Sequence, residues 1–146
     1  MENNVIINIS DVFFLNKKDI IHLKTLALNH SFKRSRICLH SSNNNNVQEM
    51  IIVAHKSSNI QIHRHPINKP ESYHVLEGKL LVKIFDDMGH IKLQEHLYSN
   101  KYPRMYRIEG NIWHQPIPIT EWVVYHEVAT GPFDKDKDVE YFKSYK

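Results

Sequence analysis

From Val47 to Val128 the chain is a succession of short runs in which apolar and polar residues alternate, each closed by a turn signal, and no stretch carries a helical period. The runs are Val47 to Ala54, Ile60 to His65, Ser72 to Leu76, Lys79 to Phe85, Ile91 to Leu97, Tyr102 to Ile108 and Thr120 to Val128. Between them lie Pro66 and Pro70, Glu77-Gly78, Asp86 to Gly89, and Gly110. Strands this short, this evenly spaced and free of intervening helices must stack as a sandwich or roll into a barrel. The chain has only four glycines, so each is expected at a sharp turn.

Ahead of the strands, Val5 to Ile9 reads as a short extended piece. One helix follows over Lys17 to His30, with Asn16 as its N-cap and Ile20, Ile21, Leu23, Leu26 and Leu28 broadly on one side. Ile37 to Leu39 reads as a strand and Ser41 to Asn46 as a polar loop. The expected organisation is a mainly β fold in three parts. Residues 1–36 form an N-terminal extension whose helix packs on the barrel, 37–130 form the β-barrel, and 131–146 form a C-terminal surface segment. That last segment carries Pro132, a charge run from Asp134 to Asp138, and Tyr141, Phe142 and Tyr145, aromatics able to pin it down. Val53, Leu81, Val82, Ile84, Val123 and Val124 are the expected core.

Composition excludes several classes. A chain of 146 residues can bury a core without disulfides. Its net charge of +3 is spread along the whole length, with no basic block interleaved with aromatics, so no nucleic-acid partner is expected. Cys38 is the lone cysteine and suits a reducing compartment. Met1 to Ser10 has no positive residue and does not read as a signal peptide. No run approaches the roughly eighteen apolar residues of a membrane helix. A cytoplasmic protein is the expectation.

The chemistry is concentrated in His63-Arg64-His65-Pro66-Ile67-Asn68-Lys69-Pro70-Glu71-Ser72-Tyr73-His74-Val75-Leu76-Glu77-Gly78. Residues two apart on a strand face the same way, so His63 and His65 project together. The proline-bounded loop then reverses the chain and brings Glu71 into the neighbouring strand. Two imidazoles and a carboxylate suit zinc, iron, manganese or nickel. A His-x-His pair alone means little among eleven histidines; the added Glu and Gly at those offsets make it a signal.

This spacing resembles the first metal-binding motif of cupins, and Gly110-Asn111-Ile112-Trp113-His114 resembles the second, which supplies one more histidine. The chain departs from the pattern at three points. Ser57 stands where a glycine usually opens the first motif, one extra residue separates Gly110 from His114, and Pro118 replaces an asparagine. A narrower resemblance runs through Arg34-Ser35-Arg36, His40, Gln48, Met50, the first motif with Lys69 and Glu71, Phe85-Asp86 with Gly89, Trp113-His114 and Gly131-Pro132-Phe133. Together these are similar to the WbuC family of cupin-fold metalloproteins, met in gene clusters for bacterial surface polysaccharides.

The resemblance implies a cupin jelly-roll barrel holding one divalent ion, zinc, iron, manganese or nickel, on His63, His65, Glu71 and His114, in a homodimer. It also implies a sugar or nucleotide-linked sugar as substrate. Tyr73 shares the face of Glu71 and is a candidate acid, with core packing as its alternative. Lys69 lies between the ligands and is a candidate contact or proton donor for an anionic substrate. Arg34 and Arg36 share one side of an extended segment and suit bidentate phosphate or carboxylate recognition, with a surface salt bridge as the alternative. His74 should face away from the ligands, and Trp113 should pack. Three functions compete. The first is a metal-dependent isomerase, epimerase or hydrolase. The second is a module that binds a small ligand without turnover, and the third a metal-independent sugar-nucleotide isomerase using His65 and Tyr73 as base and acid.

Overall fold

A computed structural model describes residues 3–144, so Tyr145 lies outside the described residues. Eleven strands and one helix follow in chain order: β1 (Val5–Ile7), α1 (Lys17–Asn29), β2 (Arg34–Cys38), β3 (Val47–His55), β4 (His63–Arg64), β5 (Glu71–Glu77), β6 (Lys79–Phe85), β7 (Ile91–Tyr98), β8 (Met105–Ile108), β9 (Trp113–Pro118), β10 (Trp122–Thr130) and β11 (Glu140–Tyr141). They form two sheets, a six-stranded one ordered β1-β2-β3-β10-β5-β8 and a five-stranded one ordered β11-β4-β9-β6-β7. The expected closed barrel is therefore corrected: β7 and β8 are edge strands, and the two sheets are not joined there by a ladder.

Period-two alternation gives the six-stranded sheet two apolar faces, and each face has its own core. The inner face contributes Ile52, Ala54, Tyr73, Val75, Val123 and Tyr125, which pack on Leu80, Val82 and Leu97 of the opposite sheet. The outer face presents Ile37, Ile51, Val53 and Val124 to the helix. Leu23 and Ala27 of α1 are completely buried there, while Ile21 and Leu28, one stripe further round, stay exposed. The helix begins where expected, with the Asp19 carboxylate accepting from the Asn16 amide at 2.7 Å. Glu77-Gly78 turns β5 into β6. Gly78 sits at φ +81°, and a Cβ there would lie 2.2 Å from the Trp122 carbonyl oxygen.

No strand was expected over residues 113–118, and Pro116 and Pro118 have no N–H to give a central ladder. Strand β9 is nevertheless central, between β4 and β6. The Ile119 amide donates to the Lys79 carbonyl, so odd-numbered residues of β9 aim their N–H groups at β6 and the two prolines aim their nitrogens at β4. Strand β4 pairs over only two residues, far less than the expected Ile60 to His65. Proline has no proton to offer the stretch before His63, and the Gln115 side chain supplies one instead, donating from Nε2 to the Ile60 carbonyl at 2.8 Å. No helix among the described residues is long and apolar enough to cross a membrane.

Candidate metal centre

The ligand candidates come from three strands of the two sheets and the residue that follows one of them. His63 opens β4 and pairs in register with His114 on β9, while Glu71 opens β5 in the facing sheet. His65 follows β4 directly. The irregular second-motif turn is seated on the first. The Asn111 amide donates to the His65 carbonyl at 2.7 Å, and a Cβ at Gly110 would lie 1.9 Å from the Pro66 carbonyl oxygen. Only glycine lets the two loops approach this closely.

One ligand atom from each of His63, His65, Glu71 and His114 lies within 4.8 Å of all the others. Glu71 Oε1 is 2.8 Å from His114 Nε2, and Oε2 is 3.2 Å from His65 Nε2. His114, Glu71 and His63 are buried, and His65 is partly so. Each ring has its Nδ1 against a main-chain carbonyl: Gln61 for His63 at 2.8 Å, Asp138 for His65 at 2.7 Å, and Ile112 for His114 at 2.9 Å. A carbonyl only accepts, so each Nδ1 carries a proton and each Nε2 is left to face Glu71, as a lone pair where the ring is neutral and as a donor where it is protonated. His65 Nε2, His114 Nε2 and Glu71 Oε1 are buried without a well-aligned hydrogen bond. Converging ligand atoms that no well-aligned hydrogen bond satisfies fit a divalent cation.

The electrostatics agree with that donor set. Burial, with the neighbouring His114, pushes His63 down to about 4, so it is neutral and ready to ligate. Burial also opposes charge on His65, but the Glu71 carboxylate outweighs it and raises His65 to about 9. Burial would raise Glu71, yet the His114 and His65 rings set against its carboxylate hold it well below the usual carboxylate range.

The remaining expected residues are spread more widely. Tyr73 is buried on the inner face, stacked 5.0 Å from Tyr125 and edge-on at 5.1 Å to Tyr106, and its hydroxyl engages Glu127. The Lys69 ammonium is taken up by the Asp138 carboxylate at 2.5 Å and by the Pro132 carbonyl. Arg34 and Arg36 lie on the inner side of β2. Arg36 shares a row with Ile52, Tyr125 and Val75, three strands across and four residues, about 13 Å, along from Glu71. His74 points outward as expected and stacks on His126. Trp113 packs against Phe142 and donates to Asp87.

Two inward groups escaped the sequence. Glu127 pairs with Tyr73 on the inner face, and burial, with the Glu71 charge, lifts its carboxyl to about 8. Tyr106 has a buried hydroxyl with no partner. Alternation along Thr120 to Val128 was visible, but only pairing with β5 shows which parity faces inward. Tyr106 borders a cavity of about 420 Å³ between β7 and β8, whose wall includes Ile84, Leu93 and Ile108, with Glu95 and Glu109 at its rim. Ile84 pairs with His114 and Ile108 with Glu71, so two wall residues are strand neighbours of candidate ligands.

A family model described as a domain of unknown function (DUF6016) matches residues 15–97. No curated protein matches the chain by sequence. Among solved structures, protein SO0799 from Shewanella oneidensis is similar at a TM-score of 0.65 and 12% identity, over 89% of this chain and 86% of that one. The capsular polysaccharide assembling protein CapF from Staphylococcus aureus is similar at 0.59 and 16% identity, over 68% and 27%. Oxalate decarboxylase from Bacillus subtilis is similar at 0.57 and 13% identity, over 75% and 27%. The chain thus spans about a quarter of the length of the last two. Identities this low establish a shared fold, the cupin-like jelly roll, and nothing about activity.

Proposed function

We propose that this chain, which belongs to the family described as a domain of unknown function, DUF6016, is a mononuclear metalloprotein and a metal-dependent enzyme. His63, His65, Glu71 and His114 are its ligands, and its substrate is a small molecule reaching them between β7 and β8. The observation that carries the reading is the set of three imidazoles, each with Nδ1 tied to a carbonyl and Nε2 turned to one buried carboxylate. Zinc, iron, manganese or nickel suits this donor set, and the ion would supply Lewis-acid polarisation of a substrate oxygen. The chain's own side chains do the rest. Glu127, with the Tyr73 hydroxyl against it, holds a proton on the same inner face. The Tyr106 hydroxyl is free to meet a substrate oxygen. Arg34 and Arg36 suit an anionic group at the far end of the inner face. The apolar cavity wall favours a ligand with an apolar side.

A sugar or nucleotide-linked sugar from surface polysaccharide synthesis is the substrate class supported by the likeness to the WbuC family and by the fold shared with CapF. By the likeness to cupins the working unit is a homodimer, and the lone Cys38 suits a cytoplasmic setting. A binding module without turnover draws support from one observation, the burial of His114 and Glu71 to 1% and 3% exposure, because sealed four-ligand sites are commonly structural. The metal-independent isomerase would need Tyr73 beside His65, whereas Glu127, Tyr106 and Tyr125 surround it.

Elemental analysis of untagged protein should give one divalent ion per chain, and none in His63→Ala. Metal-loaded protein should then convert a member of a panel of sugars and nucleoside-diphosphate sugars, and chelation should abolish the conversion. Metal content unchanged in His63→Ala would overturn the ligand assignment. Tight binding of a panel member without conversion would make the protein a binding module.

A further inference from the structure

The segment 131–142 runs beside the metal candidates as a strap, and its contacts fall on the first motif. Tyr141 pairs in register with His63, and Glu140 with Arg64. The Arg64 Nε donates to Glu140 at 2.7 Å, and the Phe142 amide donates to the Ile62 carbonyl at 2.9 Å. Phe142 stands edge-on to Trp113, the neighbour of His114, at 5.3 Å. The Asp138 carbonyl meets His65 Nδ1.

Among the three imidazoles, His65 is set apart. His63 and His114 take carbonyls two residues upstream in their own loops, whereas the carbonyl that orients His65 comes from 73 residues away. That carbonyl belongs to a turn closed by Asp138. The Asp138 side chain is 8% exposed, and its carboxylate accepts from the Asp134 amide at 2.7 Å as well as from Lys69. The Asp138 amide donates back to the Asp134 carbonyl at 2.8 Å. A carboxylate this buried depends on its cation, and removing one partner leaves the other uncompensated. Lys69 is two residues from Glu71, so the ion pair joins the ligand-bearing loop to the strap.

We propose that Lys69 and Asp138 are positioning residues of the metal centre: their ion pair holds the strap 131–142, and the strap fixes the tautomer and orientation of His65. This rests on the metal reading above. Groups one step behind a ligand typically govern metal affinity by about 10–100-fold. Linkage requires the converse, so metal on the four ligands must tighten the strap.

The test measures Zn²⁺ affinity by competition with a chromophoric chelator in the full chain, Lys69→Met and Lys69→Arg. Amide hydrogen exchange of residues 131–142 is followed with and without Zn²⁺. Lys69→Met should bind Zn²⁺ about 10–100-fold more weakly while keeping its circular dichroism, and Lys69→Arg should recover most of the loss. Zn²⁺ should slow exchange across the strap in the unaltered protein, and less so in Lys69→Met. Unchanged affinity in a folded Lys69→Met, or strap exchange indifferent to Zn²⁺, overturns the proposal. If Lys69→Met does not fold, the exchange comparison on the unaltered chain decides. Unaltered protein that binds none of zinc, manganese, nickel or iron(II) defeats the metal reading itself, a separate result.

Discussion

Each imidazole of the candidate centre has Nδ1 committed to the backbone, so a metal must bind at Nε2 and displace any proton held there. In the metal-free protein that competition is strongest at His65, which Glu71 keeps protonated up to about pH 9. The sign follows directly. A raised pKa means a proton is bound across neutral pH, and the metal must expel it. Apparent affinity should therefore rise with pH by up to about tenfold per unit between roughly pH 6 and 9 and level off above that. Chelator competition at a series of pH values measures this, and a flat profile would show that His65 is not a ligand. His63, already neutral above about 4, adds nothing in that range. His63, His65 and Glu71 were legible because a period of two and a proline-bounded reversal place them together whatever the rest of the fold does. Glu127 and Tyr106 were not, because their inward placement depends on strand register, which is a property of pairs of strands. Lys69 was legible as a charge beside the ligands, but its partner lies in a distant segment that no local pattern connects to it.

Among the elements, β9 carries the lesson. Its two prolines have no N–H to donate, yet both nitrogens face the side where β4 has all but ended, so the ladder with β6 runs unbroken from Leu80 to Phe85. Two-residue strands such as β4 and β11 hold no periodicity to read, and only their register partners make them strands. The turn before β9 is equally specific. At Gly110 a methyl group would meet the Pro66 carbonyl, so the two motif loops would have to separate. Gly110→Ala should cost about 1–3 kcal/mol or more in chemical denaturation and weaken metal binding through His114. A variant with full stability and unchanged metal affinity would show that the two loops need not touch. The helix was read correctly in position, but its buried stripe runs through Leu23 and Ala27 and leaves Ile21 and Leu28 in solvent, because the sheet it covers is met by one narrow face.

At the scale of the whole molecule the two cores separate stability from chemistry. The helix-side core lies on the outer face of the six-stranded sheet, and the ligands lie on the inner. Leu23→Ala should destabilise the protein by about 2–5 kcal/mol while leaving metal stoichiometry at the value of the unaltered chain. A loss of metal in the folded variant would mean the two faces are coupled. The run of short strands announced two packed layers, but whether their edges join could not be read, since closure depends on how far each sheet curls. Along one edge it fails. The Tyr98 amide reaches the Pro103 carbonyl at 2.9 Å, and beyond that bond no ladder ties β7 to β8. The molecule is stitched at one end of this seam and unlaced along the remainder. Widening the cavity between β7 and β8 would therefore break no strand pairing, so the proposed route for a substrate lies along the seam where the backbone has fewest bonds to lose.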